Sequence, residues 1–373
     1  MSGAEVSPIL KNGFCFGGVL ARTLPKHDPV ELLVPNSIAN SHEKWMSLAL
    51  LEAMNGIGWA SPNPAVGCVI VAAEKILATG FTQTYGGFHA ERTAFASLDL
   101  SSRSGLTVYV TLEPCTHTGK QPPCVDLLLH PAISKVVIAC EDPDSRVNGR
   151  GIQILKNAGK EVLVGVLQSE ARAWHFPFLQ HRKGKGLVWA AKWAENEEGL
   201  LADASGNSKW ITNENSRAYT HWLRQKYDAI LVGAGTWIQD QPRLTVRDCA
   251  EPHRRNPIIF IHDPKNLLKD VAQSHSVFIF NQPKTADLIS AVESTDFGFE
   301  LQSIFCEGGA RTLNELFKED RIDVVHRFVG QKTLNASNHK ITEFHPLGDC
   351  SKWICATSTK IGNDYLHEWA KWS

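Results

Sequence analysis

Past the first forty residues, apolar positions along the chain switch repeatedly between a helical period and a strand period. Residues 1–41 carry Pro8, Pro25, Pro29 and Pro35 without a helical period and read as an N-terminal extension of weak structure. From Ser41, a candidate N-cap, the segment HEKWMSLALLEAMNG sets Trp45, Leu48, Ala49 and Leu51 on one stripe. This predicts a helix stopped by Gly56 and Gly58. Ala65–Ala72 and Ile76–Phe81 read as the strands of a hairpin. Helices predicted over His89–Leu98, Pro122–Leu129 and Gly151–Ala158 then alternate with strands over Leu106–Thr111, Lys135–Cys140 and Glu161–Val166. Such alternation predicts a three-layer α/β sandwich. A further helix, Gln168–Gln180, leads into HRKGKG (181–186), where two glycines in a basic run mark a linker. A second α/β unit follows. Its predicted strands are Leu187–Ala194, Ala229–Gly233, Ile258–His262, Val277–Phe280, Ser303–Cys306 and Asp323–Val329, and its helices are Asn213–Tyr227 and Arg311–Lys318. The halves do not resemble each other, and no repeat or low-complexity tract is visible. The expected organisation is an extension at 1–41 and domains at 42–183 and 187–373.

Length and charge agree with two globular domains and narrow the partners. The chain has 373 residues, with 38 Lys and Arg against 39 Asp and Glu, a net charge of −1. No global basic field exists to hold a long polyanion, so nucleic acid is not the expected partner, although a local pocket for one phosphate stays open. No apolar window approaches the roughly 18 residues of a membrane-spanning helix. Phe14–Leu20 is apolar but short, Gly-rich and preceded by a single Lys, so it does not read as a signal peptide. Nine cysteines are scattered at 15, 68, 115, 124, 140, 249, 306, 350 and 355. An odd, scattered set suggests a reducing compartment, where spaced cysteines mean metal or catalysis more often than disulfides. A cytoplasmic protein is expected.

The chemistry concentrates in GGFHAERTAFASL (86–98) and TLEPCTHTGKQPPC (111–124). His89, Cys115 and Cys124 form a His/Cys/Cys set. Three protein ligands leave one tetrahedral position for water, the pattern of a catalytic zinc; a structural zinc would need a fourth ligand, for which His117 lies nearby. Zinc lowers the pKa of a bound water to near neutrality. Glu91 stands two residues after His89, where a carboxylate at the start of a helix can carry a proton between that water and a substrate. His-Ala-Glu followed by a strand and Glu-Pro-Cys matches the zinc-deaminase signature, with Glu as acid/base rather than ligand. One difference stands out. Eight residues separate Cys115 from Cys124, where the general signature has two.

SPNPAVGCVIV (61–71), GGFHAE (86–91), TLEPCTHTGKQPPC (111–124) and EDPDSRVNGRGIQILKNAG (141–159) together resemble the deaminase domain of the bifunctional riboflavin-biosynthesis deaminase/reductase family. The eight-residue gap is that family's own variant, and the resemblance covers about 42–183. It implies a cytidine-deaminase-like fold. It also implies that Asn63 contacts the pyrimidine of a ribosyl phosphate substrate, that His117 and Lys120 face the substrate with Lys120 clamping its phosphate, and that Asp142 and Asn148 lie in the next active-site loop.

The second half carries softer signals. An Arg-rich helix precedes an apolar strand ending in Gly-Ala-Gly-Thr, and FCEGGARTLNELF (305–317) reads as strand, Gly-Gly turn and helix, whose first amides could take a phosphate or simply form a tight turn. Residues 187–332 resemble the same family's reductase domain, with the resemblance fading beyond. It implies a dihydrofolate-reductase-like fold, NADPH as cofactor and homo-oligomers formed through this domain. By motif position, Ser208, Arg224, Leu244, Arg247 and Glu307 would contact the ribose-phosphate substrate, and Ala194, Trp210, Thr236, Asp240 and Gly309 the cofactor. One segment departs from the family, which usually has Ser-Leu-Asp-Gly where this chain has Asn196-Glu197-Glu198-Gly199. If Glu197 faced the cofactor it would repel a phosphate; if it faced solvent nothing would change. That departure motivates a competing expectation, a deaminase carrying a non-catalytic reductase domain. A nucleic-acid base deaminase would show a short Cys-x-x-Cys pair and a basic rim, and this chain has neither. A silent scaffold would have lost Glu91 or a zinc ligand, and all four residues are present.

Overall fold

The computed structural model describes residues 41–144, 146–204, 210–247, 256–269, 276–334, 340–341 and 353–371. The expected N-terminal extension and Ser208 lie outside them. The described residues divide into two compact units, one ending at Lys185 and one beginning at Gly186.

The first unit is a five-stranded sheet of order β2-β1-β3-β4-β5, with β1 Gly67–Ala72, β2 Lys75–Phe81, β3 Leu106–Val110, β4 Ile133–Ile138 and β5 Glu161–Val164. β1 pairs antiparallel with β2 and β3, and β3, β4 and β5 run parallel. The helices are α1 Ser41–Ala53, α2 Ala90–Ala96, α3 Cys124–Leu128, α4 Arg150–Asn157, α5 Gln168–Trp174 and α6 Phe176–Arg182. β1 and β2 meet through Ala73 and Glu74, both at positive φ as a two-residue type I′ turn requires. Two glycines let helices touch the sheet backbone. A Cβ on Gly67 would stand 1.8 Å from the Ala49 carbonyl of α1, and one on Gly80 would stand 2.4 Å from the Ala90 carbonyl of α2. Gly67 pairs with Phe81 and Cys68 with Gly80, so the two glycines open opposite faces of the sheet, one to each helix. The single helix expected over 168–180 is two. Pro177 has no N–H to offer the Ala173 carbonyl, and the chain breaks at His175 before α6 begins. α6 then runs to Arg182, into the expected linker.

The second unit is an eight-stranded sheet of order β12-β13-β11-β6-β10-β7-β8-β9. Its strands are β6 Val188–Asn196, β7 Ala229–Gly233, β8 Ile258–His262, β9 Val277–Phe280, β10 Ser303–Cys306, β11 Val324–Gly330, β12 Ile354–Ile361 and β13 Asp364–Ala370. From β11 to β9 every pair is parallel, whereas β13 and β12 add an antiparallel edge. Trp189, Phe260, Phe305 and Phe328 are fully buried in it. Helices α7 Glu214–Lys226, α8 Ala234–Asp240, α9 Thr285–Ser294 and α10 Ala310–Lys318 connect the strands. α8, α9 and the β12–β13 hairpin have no counterpart in the sequence reading. The hairpin anchors α7. The Asn213 N-cap accepts from the Ser216 N–H at 3.0 Å, donates its own N–H to Asp364 at 2.7 Å, and donates its side-chain amide to the Ile361 carbonyl at 2.6 Å.

Candidate active sites

In the first unit three segments converge. His89 caps α2 at its entry, Glu91 lies buried in that helix's first turn, Cys115 follows β3 and Pro114, and Cys124 opens α3. His89 Nδ1 lies 3.5 Å from Cys115 Sγ and 3.4 Å from Cys124 Sγ, and the three ligand atoms all lie within 4.8 Å of one another. A tetrahedral zinc with Zn–S near 2.3 Å and Zn–N near 2.0 Å sets N and S about 3.5 Å apart, so this donor set fits the ion. Among the described residues no other such group occurs. The Cys124 thiol and then the His89 ring, bonded to Cys115, hold Cys115 well below the usual thiol range, as a metal thiolate requires. Burial, and then the charge of Cys115, push the Glu91 carboxyl up from its ordinary value.

The pocket beside this cluster is lined by Asn63, Glu91, Glu113, His117, Asp142 and Asp144, together with Arg146 and Arg182. The structure therefore gathers Asn63, His117 and Asp142 with the metal set. Lys120 and Asn148 are not on the wall. Lys120 Nζ sits 3.8 Å from the Tyr85 ring centre, and Asn148 is exposed, donating its N–H to the Asp144 carbonyl at 3.0 Å. Burial raises Asp142 to about 6, whereas the Arg146 guanidinium, bonded to Asp144, holds Asp144 well below the carboxylate range. Asp144, Arg146 and Arg182 were not singled out in the sequence. Arg182 belongs to the basic run read as a linker, and its place at the end of α6 brings it to the pocket.

In the second unit the parallel strands end on one edge, where ligands of open α/β sheets bind. A cavity of about 640 Å³ lies there, lined by Gly233–Thr236 after β7, His262–Lys265 after β8, Lys284 and Thr285 after β9, and Gly309–Thr312 after β10. A Cβ on Gly233 would stand 2.9 Å from Thr312 Oγ1, so the turn after β7 lies against the first turn of α10. Cavity size, backbone amides at the start of α10 and the cations Lys265, Lys284 and Arg311 suit a phosphorylated dinucleotide. Thr236 and Gly309 line this cavity; Ala194, Trp210 and Asp240 do not. Trp210 is instead 62% exposed with the Arg217 guanidinium 4.4 Å from its ring centre.

Arg224 and Glu307 meet in a bidentate pair, Nε–Oε1 2.6 Å and Nη2–Oε2 3.0 Å, with side chains only 10% and 9% exposed. Burial alone would raise Glu307; the Arg224 guanidinium more than offsets it and holds the carboxyl ionised. Arg224 also donates to the Thr245 carbonyl at 3.2 Å, on the loop that carries buried Leu244, at φ +49°, and exposed Arg247. Lys192 on β6, lowered by burial, adds its charge to the pair. It was not read from the sequence, where it lies in an apolar strand. Glu197 is exposed and off the cavity wall. The Asn196 side chain closes the turn by accepting from the Glu198 and Leu200 N–H groups at 3.1 and 2.9 Å, and Leu200 packs with Ile211 and Leu334.

Comparisons with known proteins match both halves. The family model for the cytidine and deoxycytidylate deaminase zinc-binding region matches residues 39–140, and that for the RibD C-terminal domain matches residues 198–367. The riboflavin biosynthesis protein RibD of Aquifex aeolicus is 34% identical over 319 residues, 78% of this chain and 87% of that one. The chain belongs to the RibD family. The RibD of Haemophilus influenzae is 34% identical over 359 residues, covering 86% of this chain and 95% of that one. A Thermotoga maritima diaminohydroxyphosphoribosylaminopyrimidine deaminase/5-amino-6-(5-phosphoribosylamino)uracil reductase has a similar crystal structure. Its TM-score is 0.75 at 31% identity, covering 89% of this chain and 99% of that one. The chain is thus a riboflavin-biosynthesis enzyme with a zinc-binding deaminase domain and a reductase domain. The expectation that the resemblance fades after residue 332 is corrected. The RibD C-terminal match runs to residue 367, across the hairpin that pins α7. Among the described residues no helix is long and apolar enough to cross a membrane.

Proposed function

We propose that residues 42–183 hydrolyse the ring amine of a diaminohydroxypyrimidine ribosyl phosphate, and that residues 187–373 then reduce the ribosyl chain of the product to ribityl with NADPH. The observation that carries the first step is the His89/Cys115/Cys124 cluster with buried Glu91 beside it. His89, Cys115 and Cys124 would hold zinc, which supplies Lewis-acid activation of a water molecule. Glu91 would take one proton from the water and give it to the ring nitrogen as the carbon–oxygen bond forms, then carry the second from the new hydroxyl to the amine as the carbon–nitrogen bond breaks, so water is consumed and ammonia released. Asn63 and His117 orient the pyrimidine, Asp142 and Asn148 serve the loop side, and Lys120 meets the phosphate.

In the second step NADPH supplies the hydride, and the chain's own task is to hold donor and acceptor carbons in contact. Thr236 and Gly309, which line the cavity, are proposed cofactor contacts, as are Ala194, Trp210 and Asp240, which stand off its wall. Ser208, Arg224, Leu244, Arg247 and Glu307 are proposed contacts to the ribose phosphate. A homo-oligomer formed through the reductase domain, in the cytoplasm, completes the proposal.

The test supplies the deaminated substrate with NADPH to the purified protein, which bypasses the first domain. NADPH oxidation is the expected result, because Glu197 points to solvent and Asn196 keeps the turn closed. No oxidation, with ammonia still released from the undeaminated substrate, would leave a deaminase with a non-catalytic reductase domain.

A further inference from the structure

Resting on the deaminase reading, we propose that Glu113 is a positioning residue of the deamination site. Its carboxylate holds the chain at Asp142 and at 149–152, and with it the pocket wall that carries Asp142 and Asp144, at a fixed distance from the metal ligands. Glu113 is 4% exposed and stands two residues before Cys115. Its Oε2 accepts the N–H groups of Asp142 at 3.3 Å and Gly149 at 3.0 Å, and its Oε1 those of Gly151 at 3.0 Å and Ile152 at 3.4 Å. A carboxylate offers about four acceptor sites, and these four amides fill them. None is left for substrate, so Glu113 acts through the loop.

The local sequence requires such an outside partner. Gly149, the N-cap of α4, has no side chain to offer, and the amides of Gly151 and Ile152 are those that an N-cap side chain would otherwise satisfy. A carboxylate there also opposes the positive end of the helix. Gly151 is needed for the approach, since a Cβ on it would stand 2.7 Å from the Pro114 carbonyl and 3.2 Å from Glu113 Oε1. Between these anchors the chain is ordered by its own side chains. Asp142 accepts the Asp144 N–H and Asp144 accepts the Arg146 N–H, each at 2.9 Å, while Thr116 donates to the Arg146 carbonyl at 2.9 Å.

Glu113→Gln keeps the side chain's length but turns an amide NH₂ toward two of the four donors. The measurements are zinc content, ammonia-release kinetics and amide hydrogen exchange of the full chain. Zinc should stay stoichiometric and kcat within about threefold, while KM rises and the amides of Asp142, Gly149, Gly151 and Ile152 exchange faster, each by about 10- to 100-fold, as loss of charge-assisted hydrogen bonds implies. Glu113→Asp, which retains both oxygens, should recover part of both effects. Gly151→Ala, whose Cβ would meet the Pro114 carbonyl and the Glu113 carboxylate together, should push the segment off both and reproduce the rise in KM. Unchanged KM and exchange in Glu113→Gln, or loss of zinc and kcat together, would overturn the proposal. Exchange is read without turnover, so a wild-type chain that released no ammonia would count against the deaminase reading, and the exchange data would still decide whether Glu113 holds the segment.

Discussion

Removing one partner of the Arg224–Glu307 pair should destabilise the reductase unit more than removing both. The two side chains share two hydrogen bonds of 2.6 and 3.0 Å at about one-tenth exposure. Taking such charges out of water is expensive, and each is tolerated because the other compensates it. Breaking a buried pair from one side typically costs about 3–5 kcal/mol, whereas replacing both partners with apolar groups is often neutral. Arg224→Met leaves Glu307 facing Lys192 and His221, and Glu307→Leu leaves Arg224 beside Lys192, a second cation. For a unit of this size about 2–4 °C accompanies each kcal/mol, so either single substitution should lower its melting point by about 6–20 °C. Calorimetry reads this directly, with the reductase transition identified as the one that NADPH raises. The Arg224→Met/Glu307→Leu double variant should melt above both singles while failing to reduce the ribosyl substrate. Single substitutions that cost under about 1 kcal/mol, or a double variant whose loss is the sum of the singles, would refute the compensation.

Glu91→Gln should keep stoichiometric zinc by elemental analysis while ammonia release falls about 100- to 10,000-fold, the usual weight of a general acid/base. Cys115→Ser should lose the metal, since a hydroxyl does not replace the thiolate, and retained zinc would show that the ligand set is wrong. Asp364→Ala should destabilise the reductase unit by about 1–3 kcal/mol in chemical denaturation, because the Asn213 N–H and Ser216 hydroxyl lose their common acceptor. Burial lifts Asp142 to about 6, so the folded unit binds that proton more tightly than the unfolded chain. The stability this gives is full below about pH 4 and lost as pH rises through about 6, and Asp142→Asn should flatten the dependence of the unit's denaturation midpoint across that range.

The clustering of His89, Cys115 and Cys124 was legible because the residues fall within two short segments and metal chemistry restricts residue type severely. Strands β8, β9 and β10 were legible to the residue, being short apolar runs between polar turns. Other features needed three dimensions. Lys192 reads as an interruption of an apolar strand until Arg224 and Glu307 arrive from α7 and the end of β10. Arg182 reads as part of a linker until α6 brings it to the deaminase pocket. Two misses had signals in the chain. Pro177 marks the break between α5 and α6, and Gly362-Asn363 between alternating runs is a hairpin signature for β12 and β13. The hairpin matters for function, since it fixes the N-terminus of the helix that carries Arg224.

Two buried carboxylates show how one residue type serves two ends. Glu113 and Glu307 each follow a strand, and each extends its sheet's ladder through its N–H, to the Cys140 carbonyl at 2.9 Å and the Leu231 carbonyl at 3.0 Å. Glu113 is neutralised by four backbone amides of its own domain. Those donors are fixed by the covalent chain and cannot be handed to a ligand, which suits a residue that sets distances. Glu307 is neutralised by a guanidinium, whose planar fork accepts a phosphate as readily as a carboxylate. Arg224 also donates to the Thr245 carbonyl, which ties the pair to the loop that carries Leu244 and Arg247. Substitution at Glu113 should move a loop, and substitution at Glu307 should change what the neighbouring cation binds.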